Sequence, residues 1–482
     1  MTQDTLARRP SVGRPHPGAG GALLSGTGRL AWPVRLYLLT AVLPIWFNLG
    51  PLALSTMRVL LIALFIPLLV RLFSGKMGRI LPTDILFILY SVWTVISLAI
   101  NNPTHVIEFA GSTNVEFLGG YLLARAYIRD RGDFAALCRW LTFLTVATVP
   151  LALIESLTRE PVLLEFIRNL PGMDTFERVY ADPRWGLFRA QTVFAHPIHY
   201  GLFCSVVFPL SYIALKGAVS GVWRIGASGA ILLGTFLSLS SGAFLSMILQ
   251  LGIILWATVF ARVKARWKIL LALFIFLYVL VDLVSNRTPM RVFMSYATFS
   301  AYTAFWRGLI FEYGMQNVWA NPILGLGLNT WERPAFMVTG SVDNFWLLTA
   351  MRYGIPGFLT LVIGYFLPLW KIGRRDFDAD PVLWRQRRAW CFTFASLSFT
   401  LATVAIWSSL YSFVFFMFGA GVWLLAAQPE DGNGKQADDP ARPAGPSHAR
   451  SDVPGRYTRF PPGAVAAPAR VTRQDLGSTP AR

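Results

Sequence analysis

Apolar runs, each near the twenty residues that a helix needs to cross a bilayer, recur from about residue 36 to residue 427 of this 482-residue chain. Inside the hydrocarbon layer a backbone amide finds no water, so each run must close its hydrogen bonds within itself as a helix. Charge is scarce and bunched between the runs, at 14% of residues against 54% hydrophobic. A soluble domain carries roughly a quarter charged residues. The expected fold class is therefore all-α and polytopic, with about 12 transmembrane helices. They fall near 36–50, 53–72, 83–100, 108–127, 135–156, 195–215, 223–240, 243–261, 268–285, 343–370, 389–407 and 410–427. The run 223–261 is divided at Ser238-Leu-Ser-Ser-Gly242.

Three domains follow. Residues 1–34, where Arg8, Arg9, Arg14 and Arg29 interleave with Pro and Gly, read as a disordered basic tail rather than a signal peptide. Residues 35–427 form the transmembrane unit, and 428–482, rich in Pro, Ala, Arg and Asp, read as a second disordered tail. With the N-terminus inside, the short loops that collect Lys and Arg all fall on the cytoplasmic side. All six lysines then lie inside, and so do both termini. The net charge of +18 is spread over these loops and tails, which suits anionic lipid and argues against a nucleic-acid partner. Cys138, Cys204 and Cys391 sit in separate apolar runs and suggest neither a metal site nor a disulfide.

Two long outer loops remain, at about 158–195 and 286–342, and they hold arginine without lysine. These are Arg159, Arg168, Arg178, Arg184 and Arg189, then Arg287, Arg291, Arg307 and Arg333. Arginine on the translocated side runs against the orientation signal. Planar guanidinium groups suit phosphate or carboxylate, although loop acids such as Glu160, Glu165 and Glu312 can pair with several of them.

Three segments carry the candidate chemistry. The first runs from Arg189 through His196-Pro-Ile-His199 to Gly201, and the second from Phe305-Trp-Arg307 through Glu312 to Asn321-Pro-Ile-Leu-Gly-Leu-Gly-Leu-Asn-Thr-Trp331. The third is Ser341-Val-Asp343-Asn344 leading to Arg352-Tyr-Gly354-Ile-Pro-Gly357. Gly325-Leu-Gly327 has no βαβ context and reads as a tight turn. Trp306, Trp319, Trp331 and Trp346 suit an interfacial belt.

In order, spacing and membrane side these segments resemble the O-antigen ligase and polysaccharide polymerase family of bacterial inner-membrane proteins, over about residues 35–427. The resemblance implies a GT-C-like helical glycosyltransferase of the inner membrane. It would work at the periplasmic face without cofactor or metal, on an undecaprenyl-pyrophosphate-linked oligosaccharide. The acceptor would be another lipid-linked glycan in a polymerase, or lipid A-core in a ligase. Partners would be the lipid bilayer and polysaccharide chain-length or export proteins.

By the same resemblance Arg189 and Arg307 hold the pyrophosphate, and fixed guanidinium groups would stabilise the charge that develops on it. The competing role for Arg307 is an ion pair with Glu312. Many ligases place His-Asn where this chain has Asp343-Asn344. A carboxylate there can act as the base, and the pair tilts the reading toward a polymerase. Asp343 could equally cap the following helix. His196, His199, Asn344 and Arg352 are candidate substrate-binding residues. The competing role for Arg352 is a structural pair with Glu108, Glu116 or Glu155. Ser240-Ser-Gly242 lacks an arginine that the family often carries there, and Arg352 is the suggested substitute. A transporter, or a scaffold in an export complex, is the rival from another class. No repeat of two halves supports the transporter.

Overall fold

The computed structural model describes residues 30–49, 52–286, 288–296 and 301–429. The two tails up to residue 29 and from residue 430, together with Pro51 and Arg287, lie outside them. The helices in chain order are α1 (Trp32–Val42), α2 (Thr56–Phe73), α3 (Pro82–Asn101), α4 (Ser112–Asn114), α5 (Gly120–Tyr127), α6 (Arg131–Thr158), α7 (Val162–Arg168) and α8 (Pro197–Pro209). They continue with α9 (Gly221–Leu237), α10 (Ser241–Val259), α11 (Arg266–Val284), α12 (Pro289–Tyr296), α13 (Ala301–Ala320), α14 (Phe345–Gly373), α15 (Pro381–Thr400) and α16 (Ser408–Gly419). The architecture is that of an all-α polytopic membrane protein. Among the described residues, eight helical segments are long and apolar enough to cross a bilayer.

Four of the twelve expected spans take a different form. The run 36–50 becomes α1 and a hairpin in which β1 (Trp46–Leu49) pairs antiparallel with β2 (Leu52–Ser55). Eleven residues of helix reach only about 16 Å, half the hydrocarbon layer. The run 108–127 is helical but opens into two π-helical stretches, Val106–Gly111 and Val115–Gly119. The run 223–240 forms α9, which at 17 residues falls just short of a full span. The eleventh helix begins at Pro381 rather than 389, because the Asp380 carboxylate caps it by accepting from the amides of Val382 and Leu383 at 2.9 and 3.1 Å. That start brings Arg385, Arg387 and Arg388 into the helix. The division of the 223–261 run falls as expected, with α9 ending at Leu237 and α10 beginning at Ser241.

The loops expected to lie inside gather at one end of the bundle. Arg125 donates to the carbonyls of Met77 and Arg79 at 3.0 and 2.9 Å and lies 3.6 Å from the fully buried Asp84. Arg131 approaches Asp380 at 3.5 Å, and Gln386 donates to the carbonyl of Arg131. The core between the ends is aromatic. Phe87, Phe117, Tyr121, Tyr365, Trp390, Phe394 and Phe418 are all sealed from solvent.

At the opposite end the helices break. Gly354 takes φ +68° inside α14, so the Met351 carbonyl loses its regular partner, while that of Arg352 has none because Pro356 carries no N–H. The Asn321–Gly327 turn supplies replacements: Leu326 N–H donates to Met351 and Gly327 N–H to Arg352, at 2.8 and 2.9 Å. Gly325 and Gly327 adopt φ +69° and +63°, as a tight turn requires. A Cβ on Gly325 would collide with the backbone of Arg352. Gly325→Ala should therefore lower stability by at least about 2 kcal/mol, read as a fall in the thermal midpoint of the purified chain. Gly252→Ala, at an open position inside α10, should leave the midpoint unchanged or slightly raised.

Candidate functional site

The chain entering α8 is held by one buried carboxylate. Glu155, near the end of α6, accepts from the backbone amides of Gln191 and Thr192 at 3.0 and 2.8 Å. Gln191 then ties this segment to the outer loop, accepting from Val179 N–H at 2.7 Å and donating to the carbonyl of Glu177 at 3.0 Å. Thr192 turns the backbone with φ +52°. His196 follows and caps α8, its Nδ1 accepting from the amide of Ile198 at 3.1 Å.

Arg189 stands just before this clamp. Its Nε is buried without a hydrogen-bond partner among the described residues. Burial, with Arg184 nearby, lowers its pKa to about 10. Arg307, on α13, is only 6% exposed, and its Nε and one terminal nitrogen are likewise buried without partners. Desolvation lowers its pKa. Asp343 acts on it favourably and Arg184 unfavourably. Arg184 is thus the common electrostatic neighbour of Arg189 and Arg307, and Asp182 acts on both Arg184 and Arg189.

The competing ion pair for Arg307 is not formed. Glu312 instead pairs with Arg291 on the exposed side. Several other loop arginines also find loop partners: Arg168 takes Glu165 at 2.8 Å, Arg178 takes Glu160 at 2.9 Å, and Arg159 lies over Tyr180 and Phe188. Arg333 bonds the carbonyl of Met337 at 2.9 Å. Arg189 and Arg307 keep buried nitrogens without hydrogen-bond partners among the described residues, and Arg184 acts on both as a like charge.

The cap of α14 is Asn344, whose Oδ1 accepts from the amide of Leu347 at 3.0 Å. Asp343 is therefore not the cap, and its exposed carboxylate lies within electrostatic reach of Arg307. The Oδ1 of Asn344 is committed to that structural bond. His199 is fully buried, its ring 4.0 Å from that of Trp407, which places it in packing rather than at an open surface.

Arg352 makes no ion pair with the three acids proposed for it. Glu116 bonds Arg58 at 2.6 Å, Glu155 holds the backbone, and Glu108 approaches His105 at 4.0 Å. Arg352 lies over Phe109, with 5.3 Å to the ring centroid. It lines a cavity of about 650 Å³ together with Arg58, Glu116, Tyr90, Trp407 and Tyr411. Trp407 connects the two regions, since His196 and His199 both meet its ring.

Sequence reasoning left Arg184 among the outer-loop arginines and gave it no role. Its guanidinium donates to the carbonyl of Leu239 at 2.6 Å, at the break between α9 and α10. Leu239 immediately precedes the segment Ser240-Ser-Gly242 that lacks its expected arginine, so Arg184 brings a guanidinium next to it. A short β-bridge, Arg184 with Leu187, turns the loop toward it.

Arg184 is thus an electrostatic neighbour of two arginines with buried, unpartnered nitrogens, and Arg58 and Arg352 line the 650 Å³ cavity. The family model for O-antigen ligases matches residues 226–362, a stretch that contains Arg307, Asp343, Asn344 and Arg352. That match supports assigning the chain to the O-antigen ligase and polymerase family, whose members are membrane enzymes acting on glycans. A search of curated proteins finds no match.

Burial, followed by the charge of Arg189, lowers the pKa of His196 to about 4. The unfolded chain would bind that proton first, near pH 6.5. The contribution of His196 to stability is then intact above about pH 6.5 and lost as pH falls toward 4, by up to about 3 kcal/mol. His196→Asn, which can still cap α8, should flatten the thermal midpoint against pH across that window.

Proposed function

We propose that this chain transfers a glycan from an undecaprenyl-pyrophosphate carrier at the periplasmic face of the bacterial inner membrane, as a polymerase of exopolysaccharide or O-antigen. Its glycosyltransferase chemistry would be of the GT-C kind. The observation that carries the reading is Arg307, buried with two unpartnered N–H groups and facing Arg184, with the exposed Asp343 alongside. A desolvated cation with unused donors is costly, and a diphosphate would offset that cost.

In the proposed step the acceptor hydroxyl attacks the anomeric carbon while the bond from that carbon to the diphosphate oxygen breaks. The electron pair leaves with the lipid diphosphate, and the guanidinium groups of Arg307, Arg189 and Arg184 stabilise the charge that develops. Asp343 takes the hydroxyl proton and later releases it to water. The cavity bearing Arg352, Arg58 and Glu116, with its aromatic wall, would receive the sugar chain next to the reacting centre.

Transfer from a purified lipid-diphosphate donor tests these roles. Arg307→Ala should lower kcat/KM by about a hundredfold or more, and Arg307→Lys by at least about tenfold, because a point charge cannot bond two oxygens in one plane. An unchanged Arg307→Ala rate would remove the central residue. Asp343→Asn should abolish the rise of rate with pH that a carboxylate base produces, while leaving donor affinity largely intact. Arg184→Ala should cost about tenfold or more although the residue lies outside the matched stretch.

The Asp343-Asn344 pair, in place of the His-Asn of many ligases, favours polymerisation over ligation. A null strain that accumulates single lipid-linked repeats would support a polymerase. Accumulation of long unattached chains would instead assign the chain as a ligase.

A further inference from the structure

A second cationic feature lies far from these residues, at the end of the bundle where the basic loops gather. The helix α11 is apolar from Ile269 to Val281, yet none of its residues is buried. It meets α15 through two ring pairs, Trp267 with Phe392 at 5.6 Å and Phe274 with Phe399 at 5.7 Å. Between α10, α11, α14 and α15 the packing leaves a cavity of about 620 Å³, walled by residues such as Leu270, Leu271, Leu369 and Ala395.

Arg266, Arg387 and Arg388 line one end of this groove. Arg388 lies over Trp384 and Phe392, with 4.1 and 5.4 Å to the ring centroids. Arg266 donates to the carbonyl of Ala261 at 2.7 Å, and Arg387 bonds the carbonyl of Arg375. Arg266 and Arg387 both act on Arg388 as like charges, and Asp378 is a carboxylate that opposes them. The Nε of Arg266 and one terminal nitrogen of Arg388 are buried with no hydrogen-bond partner among the described residues. Like charges held together with unused donors call for an anion.

The length of the groove says what kind of anion. From Arg387 to Phe399 is twelve residues of α15, about 18 Å at the rise of a helix. Half of the hydrocarbon layer is about 15 Å. The floor is therefore about one leaflet deep, with cations at the headgroup level and aromatic rings at the far end.

We propose that this groove holds a phospholipid of the surrounding bilayer with an anionic headgroup. Its phosphate would sit on Arg266, Arg387 and Arg388, and one acyl chain would lie in the seam between α11 and α15. The lipid would complete the packing of α11, whose own contacts with the bundle are sparse. The site does not depend on the glycan-transfer reading, since no residue is shared between them.

The test uses the full-length chain in detergent, with phosphatidylglycerol or phosphatidylcholine titrated in and retained lipid counted by native mass spectrometry. The native chain should hold phosphatidylglycerol more tightly than phosphatidylcholine. The double variant Arg387→Gln/Arg388→Gln should lose about tenfold or more of that affinity, the loss expected on removing a charge-assisted hydrogen bond. Ala395→Trp, which fills the groove and leaves all three arginines, should lose binding as well. Equal retention by the three chains, or equal retention of the two lipids, overturns the proposal. Should a variant fail to fold, a photoactivatable phosphatidylglycerol on the native chain decides the matter. Adducts on Leu270–Phe274 or Phe392–Phe399 support the site, and adducts confined elsewhere overturn it. Glycerol phosphate that raises the thermal midpoint as much as the phospholipid does would also overturn it, because the acyl chain would then contribute nothing.

Discussion

A broken helix inside an apolar bundle exposes amides and carbonyls that water cannot reach, and each must find a partner within the protein. This chain breaks its helices repeatedly at one end. The Asn321–Gly327 turn satisfies the carbonyls freed at Gly354 in α14. The Glu155 carboxylate satisfies the amides of Gln191 and Thr192 before α8. At the gap between α9 and α10, Ala190 N–H bonds the carbonyl of Leu237 and Arg184 bonds that of Leu239. The polar groups of the candidate site are positioned by these repairs. Replacing Glu155 would release the segment that carries Arg189 and His196.

The two ends of the bundle use arginine differently. At the basic end Arg125 and Arg131 find Asp84 and Asp380, and Arg125 and Arg129 also bond loop carbonyls, so these cations join loops to one another. At the opposite end Arg184 acts as a like charge on both Arg189 and Arg307, with Asp182 and Asp343 as the opposing carboxylates. Like charges brought together in a desolvated place destabilise the empty protein. In the proposed function an anionic diphosphate would relieve that repulsion. The arrangement also explains why Arg307 lies on α13 with its outward neighbours otherwise engaged. Arg291 takes Glu312, the carboxylate that would otherwise compete for Arg307 on α13.

Much of this was legible from residue order. The spans at 53–72, 83–100, 135–156 and 243–261 reappear as α2, α3, α6 and α10, because twenty apolar residues in lipid have few alternatives to a helix. The Gly325-Leu-Gly327 turn was legible too, since paired glycines at positive φ have few other uses. The run 36–50 misled, because hydropathy alone does not separate a short helix and hairpin from a span. Proline at position 44 was the available signal. Asn344 rather than Asp343 as the cap could not be decided in advance, because both residues favour that place.

The sequence by itself determined where helices must form, and which outer loops would carry arginine without lysine. Those are local matters of hydropathy and charge, fixed by the cost of moving polar groups into hydrocarbon. Only the tertiary structure decided which arginines meet. Arg184, Arg189 and Arg307 are separated by up to 123 positions, yet Arg184 acts electrostatically on both of the others. Electrostatic neighbourhood is a property of distance in space, and no spacing along the chain encodes it.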